Sequence, residues 1–346
     1  MKSSPPLFRV AMSFVRSQNL LGLVKAGAGI AAICVLFYFS RIDLKALAVL
    51  TNGPAAIVCI ALVFSSLPIA ALRWAILLRV LGFDIAFKKL YHVTAITNFL
   101  NVFFIGPLGG DLTRTIYIWR IVGHSGAGIA SSIVVDRLLG LFAAFCVALL
   151  YVIFNWSRMH GHPALFTLAI SIVLGFSGFV AGAVTILIAP AFIKRCQKHL
   201  LRWPRIESLF GWTHDTVCML RRRPMELLYA QALALLSQAT TVGAVVVVGK
   251  ALGADALGLA DYMLAVPVTL VANTLPITPN GLGIGEAAFD QVCRWLVNPA
   301  RDVAYSNIFF AFRILGLVAL LSGLVSLFLY RNSVEAAPGA FTARGS

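Results

Sequence analysis

Long apolar runs separated by short polar stretches dominate this chain. A run of about 18 or more apolar residues can cross a bilayer as a helix. Six runs reach that length, roughly 22–39, 54–78, 129–155, 164–189, 226–249 and 303–330. Two further runs, 91–105 and 262–275, are too short. Each leads into a Pro/Gly-rich break and then a second short helix, at 110–123 and 283–297. The pattern predicts an all-α integral membrane protein with about six full transmembrane helices and two re-entrant helical hairpins.

Charge orients these elements. The segment 190–224 carries Lys194, Arg195, Lys198, Arg202, Arg205, Arg221, Arg222 and Arg223 against Glu207 and Asp215, so 8 − 2 = +6. By the positive-inside rule it is a basic cytoplasmic loop. The N-terminal segment, with Lys2, Arg9, Arg16 and Lys25, is also placed inside. The run that follows it is long enough to span, so it reads as an uncleaved helix rather than a signal peptide. Helix 54–78 returns the chain to the inside, and helix 129–155 must start there. Segment 91–123 therefore enters and leaves on one face, and the same logic makes 262–297 a hairpin from the opposite face. Both termini are expected in the cytoplasm, and the whole chain, 1–346, forms a single membrane domain.

Composition supports a lipid environment and limits the partners. Of 346 residues, 60% are hydrophobic and 12% charged, against about 25% charged in soluble domains. The net charge of +15 would suit nucleic acid, but the basic residues sit at the ends of apolar runs, where they meet anionic headgroups. No nucleic-acid partner is expected. Cys34, Cys59, Cys146, Cys196, Cys218 and Cys293 show no paired spacing, so they read as small apolar fillers rather than as disulfides or zinc ligands. His160 and His162 flank one glycine without further ligands, and no metal or other cofactor is expected.

The two hairpins share a pattern. The first reads Asn101-x5-Pro107-x-Gly109-Gly110-Asp111, the second Asn273-x5-Pro279-x-Gly281-x-Gly283. Seven residues past each proline stands a charge, Arg114 or Glu286. Further on, Arg137-Leu-Leu-Gly140-Leu141 parallels Arg313-Ile-Leu-Gly316-Leu317. These matches suggest two repeats, 18–156 and 164–331, which the topology places upside down to one another. Inverted repeats with broken helices are an architecture of secondary transporters, with binding near the midplane.

Irregular backbone at membrane depth needs protein or water to satisfy it, so breaks at Gly106–Asp111 and Pro276–Gly285 are expected to line a cavity. Plain tight turns are the alternative. Asp111 and Asn280 would cap the restarted helices, whose N-terminal ends attract anions. Asp136, Arg137, Glu286 and Arg313 fall within or beside spans, where charge is costly. Snorkelling to the cytoplasmic face is the alternative account of Asp136–Arg137. The functional reading has Arg114, Arg137 and Arg313 supplying positive charge to a lipid phosphate, balanced by Asp111, Asp136 and Glu286 in the empty site. Asn101, Gly109, Gly110, Asn273, Gly281 and Gly283 complete the expected substrate-binding set, with no catalytic residue. Arg73-Trp74 reads as an interfacial anchor outside it.

The runs RWAILLRVLG (Arg73–Gly82), GPLGGDLTR (Gly106–Arg114), SSIVVDRLLGL (Ser131–Leu141) and PNGLGIGE (Pro279–Glu286) resemble the lysylphosphatidylglycerol synthase transmembrane-region family. That flippase-like family is related to the membrane half of the multiple peptide resistance factor. The resemblance covers about 20–330 and implies movement of a lipid between leaflets of a bacterial inner membrane, with Asp111, Arg114, Asp136, Arg137 and Glu286 in the site. The resistance factor continues into a soluble aminoacyl-transferase domain that has no counterpart here, so synthesis of the aminoacylated lipid is not implied. The expected function is ATP-independent flipping of an anionic, aminoacylated, polyprenyl-linked or hopanoid-type lipid, with lipid-biosynthesis enzymes as further partners. The competing readings are a lipid-modifying or glycosyl-transfer enzyme and a non-transporting accessory subunit of a lipid-synthesis complex.

Overall fold

The computed structural model describes residues 52–101, 106–123, 126–188, 221–275, 278, 281–297 and 304–335. These form ten helices and no strand. They are α1 (Gly53–Val80), α2 (Phe87–Leu100), α3 (Gly106–Val122), α4 (Gly126–Phe154), α5 (Trp156–His160), α6 (Pro163–Ile188), α7 (Pro224–Ala251), α8 (Leu259–Asn273), α9 (Ile284–Leu296) and α10 (Ser306–Glu335). Five of them, α1, α4, α6, α7 and α10, are long and apolar enough to cross a membrane. Large apolar side chains such as Ile57, Leu174, Leu236 and Leu329 are exposed along them, a surface that lipid rather than water must cover. The chain is an all-α, multi-pass membrane protein. The expected span 22–39 and most of the basic loop 190–224 lie outside the described residues.

The remaining helices, α5 aside, are of intermediate length. α2 has 14 residues, α3 17, α8 15 and α9 13. At about 1.5 Å per residue they are roughly 20–26 Å long, short of the ~30 Å hydrocarbon core. α2 and α3 leave and return at one end of the bundle. Leu78, Phe83, Leu90, Ile118 and Ile129 join the end of α1, the two outer ends of α2–α3 and the start of α4 in a single core. The pair α8–α9 does the same at the other end. Asp261 at the start of α8 accepts hydrogen bonds from Tyr151, near the end of α4, at 3.1 Å and from Arg158 of α5 at 2.8 Å. Arg158 also donates to the carbonyl of Leu296 at the end of α9. The two helical pairs thus start from opposite ends of α4, whose 29 residues extend about 43 Å.

α1 and α7 run antiparallel through the centre. Leu77 of α1 packs near Ala230 at the start of α7, and Leu62 lies 3.7 Å from where a Cβ on Gly243 would stand. Apart from that of α6 on α4, the main packings among the described residues have a counterpart when 53–154 is exchanged with 163–335. α2 lies on α10 and α8 on α4, α2 on α3 and α8 on α9, α1 on α10 and α7 on α4, α1 on α2 and α7 on α8. The approach of α10 to α2 is close, because Gly323 leaves room for the Ala95 carbonyl and the Phe99 Cβ.

The stretch that the sequence suggests as the first break is helical. Helix α3 already begins at Gly106, so Gly106–Asp111 is helical and Asp111 sits in its second turn instead of capping it. Proline is tolerated in a first turn, where its missing N–H has no intrahelical partner to lose. That accounts for Pro107 inside α3. In the second hairpin Gly283 caps α9, and the Glu286 carboxylate accepts its N–H at 2.8 Å. Gly281 and Gly283 have φ of 68° and 81°, which favour glycine. Pro279 and Asn280 lie outside the described residues.

Candidate functional site

Two clusters join the short helices to the long helices that follow them; two further buried carboxylates, Asp261 and Asp290, pair with Arg158 and Arg294 outside these clusters. In the first, Asp136 of α4 is 4% exposed and faces two arginines. Arg73 of α1 grips it side-on, Nε to Oδ1 at 2.6 Å and Nη2 to Oδ2 at 3.1 Å. Arg114 of α3 donates through Nη1 to Oδ2 at 3.4 Å. The Arg114 guanidinium lies over the Trp74 ring, 3.6 Å from its centroid, a favourable cation–π arrangement. Trp74 is fixed in turn, since its Nε1 donates to Ser132 at 3.0 Å while Ser132 donates to the Ile129 carbonyl. Helix geometry sets this convergence. Asp111 and Arg114 lie three residues apart on one face of α3. Asp136 and Arg137, being adjacent, point about 100° apart around α4. Asp136 turns inward, and Arg137 turns to the exposed face between Val134 and Leu138. There it pairs with Asp111 of α3.

The second cluster joins α8, α9 and α10. Arg313 lies 2.8 Å from Glu286, which is fully buried. Its Nη2 also donates to the Asn273 side chain and to the Gly281 carbonyl, each at 3.1 Å. Gly285 is required by this packing. A Cβ there would stand 2.4 Å from Asn273 Oδ1 and 2.5 Å from Arg313 Nη2. Asn101 has an analogous place in the first half, since a Cβ on Gly110 would meet its Oδ1 at 1.8 Å. A side chain that fills the room left by a glycine stands at the inner end of each hairpin.

The expected opposite-charge partners therefore meet: Arg114 with Asp136, Arg137 with Asp111, and Arg313 with Glu286. Asn101 and Gly110 adjoin, as do Asn273 and Gly281. Gly109 is a helical residue of α3, and Asn280 is outside the described residues. Sequence reasoning misplaced Arg73 and Trp74, which join the first cluster rather than anchoring an interface, Trp74 fully buried and Arg73 largely so. Their position gave a signal. Seven residues separate Arg73 from the end of α1 at Val80, a depth of about 10 Å along the helix. Ser132 and the outer set Tyr151, Arg158 and Asp261 were also missed.

The sequence matches the family described as Lysylphosphatidylglycerol synthase TM region over residues 24–334. No curated protein and no solved structure matches the chain.

Proposed function

Because the chain belongs to the lysylphosphatidylglycerol synthase TM region family, a membership that points to work on membrane lipids, we propose that it carries a lipid between leaflets without ATP hydrolysis. We place it in a bacterial inner membrane with both termini cytoplasmic, and read α1–α4 and α6–α10 as inverted repeats whose short helices form re-entrant hairpins. The observation that carries this reading is the pair of buried ionic clusters, one at each hairpin, set in halves that enter from opposite ends of the bundle. The paired packing of the two halves supports it further.

Charge inside a membrane protein is expensive and marks substrate or ion pathways. Here the ionic contacts tie each hairpin to the long helix that follows it, Arg114–Asp136 and Arg137–Asp111 in one half and Glu286–Arg313 in the other. A headgroup that competes for these arginines would loosen the hairpin from its helix. Such exchange of partners is how a ligand with differential affinity shifts a two-state equilibrium. The exposed Arg137–Asp111 pair between Val134 and Leu138 gives a headgroup a lateral approach from the bilayer.

Reconstitution tests this. Vesicles holding the full chain and a fluorescent phospholipid are treated with an external quencher, and the protected inner-leaflet fraction is followed. Wild type should render that fraction accessible at least tenfold faster than protein-free vesicles, and Glu286→Gln and Arg137→Ala should lose most of the gain. Exchange by wild type no faster than in empty vesicles overturns the proposal.

A further inference from the structure

The mouths of the two hairpins are held differently. At the first, Phe83, Leu90, Ile118 and Ile129 close the opening with apolar contacts. The ion pair there, Arg79 with Asp84 at 3.9 Å, joins the end of α1 to the loop after it and lies on the surface. At the second mouth one guanidinium spans the opening. Arg158 of α5 donates through Nη1 to Asp261 at the start of α8, at 2.8 Å. Its Nη2 donates to the Leu296 carbonyl at the end of α9. The buried carboxylate of α9, Asp290, is answered locally instead, by Arg294 four residues on and by the Ser306 N–H.

The grip of Arg158 is built to let go. Helix α5 has five residues between Asn155 and Gly161, and packs chiefly on α6 and the end of α4. Met159 is fully buried in the core below and seats α5. Arg158 is the long arm that reaches the hairpin, and its side chain is 43% exposed against 4% for Asp261. An ion pair with one partner half in water is screened and weak compared with a dry one. Asp261 also keeps bonds that do not involve Arg158. Tyr151 donates to its Oδ1 at 3.1 Å, and the Gly258 N–H to its Oδ2 at 2.9 Å. Below the mouth, one face of α9 leads inward. Leu296, Cys293, Phe289 and Glu286 are all buried and spaced three or four residues apart, the repeat of a single helix face. From Leu296 to Glu286 is about 15 Å along the helix.

We propose that Arg158 is a releasable clasp on the second hairpin. Engaged, it holds the start of α8 and the end of α9 together. Released, it lets them part at the mouth and admits water along the Cys293 face of α9. Asp261 and the Leu296 carbonyl are its two catches. The inference goes beyond the transport reading and stands on these contacts without it; under that reading the clasp is a gate above Glu286 and Arg313.

Cys293 reports on the clasp directly. In the full chain with Cys34, Cys59, Cys146, Cys196 and Cys218 changed to serine, its rate of modification by a small methanethiosulfonate reagent is followed in detergent. We expect Arg158→Gln to raise that rate at least tenfold. Arg158→Lys should raise it by an intermediate factor, because an ammonium lacks the planar fork that spans two acceptors. Asp261→Asn keeps an oxygen for Gly258 and Tyr151 but loses the ion pair, so it should also raise the rate. The double variant should be no faster than the faster single. At about 1 M chloride, where the screening length is about 3 Å, wild type should be labelled severalfold faster and Arg158→Gln no faster than before. A second reporter, Val93→Cys in the buried core of the first hairpin with Cys293 also removed, should keep its wild-type rate in every variant. Equal labelling of Cys293 with and without Arg158 overturns the proposal. A matching rise at Val93→Cys overturns it too, since that is general loosening. Faster labelling in Arg158→Gln, with no lipid exchange by wild type, keeps the clasp and removes the transport reading.

Discussion

At Asp136 one carboxylate serves two guanidinium groups, whereas Glu286 has one arginine and one backbone N–H. The two carboxylates should therefore respond differently to neutralisation. Removing one partner of a buried pair costs roughly 3–5 kcal/mol, because the remaining charge has no answer. Glu286→Gln should cost about that much, and Glu286→Gln combined with Arg313→Gln clearly less than the sum of the singles. Unfolding titrations in detergent measure both, and additive losses would show that the two side chains are not coupled. These residues were legible in the sequence because a charge in an apolar run has few reasons to exist. Arg73 and Trp74 were not, because arginine beside tryptophan near a helix end has the composition of an interfacial anchor. Only the fold brings α1 against α4 and turns that dipeptide inward.

Among elements, the hairpins depend on close backbone approach rather than on length. Gly110 touches the Asn101 amide, so the cost of a methyl there falls on a side chain that can be removed. Gly110→Ala should destabilise by roughly 1–3 kcal/mol through overpacking. Asn101→Ala in the same chain should recover a large part of that loss. A thermal midpoint series on the two single variants and the double decides this, and a double variant no better than Gly110→Ala alone would refute it. The existence and order of the short helices were readable from hydropathy. The exact break was not, since glycine and proline punctuate a loop and open a helix equally well. Pro54, Pro163 and Pro224 stand at the starts of α1, α6 and α7 in the same manner, and Pro107 belongs with them.

For the whole molecule, the apolar runs were enough to anticipate a multi-pass helical bundle with two pairs of helices too short to span. What the sequence could not supply was the pairing between halves, because those contacts, α6 on α4 aside, join residues roughly a hundred or more positions apart. Orientation in the membrane is open to direct measurement. In a cysteine-free background, Asp84→Cys at the mouth of the first hairpin should react with an impermeant thiol reagent only from the cytoplasmic side. His160→Cys, in α5 beside the mouth of the second, should react only from the other side. Labelling of both from one side would dismantle the inverted arrangement.

The crossed packing, with α2 against α10 and α8 against α4, carries an evolutionary corollary. Each half lends its longest span as a backing for its neighbour's hairpin, so an isolated half has a hairpin with nothing behind it. On the reading of the two halves as inverted repeats, an ancestral gene encoding one half would have made a complete enclosure only if its product inserted into the membrane in both orientations and paired as an antiparallel dimer. Fusion of two such genes, followed by drift in the arginines and lysines of their loops, would have frozen one copy in each orientation.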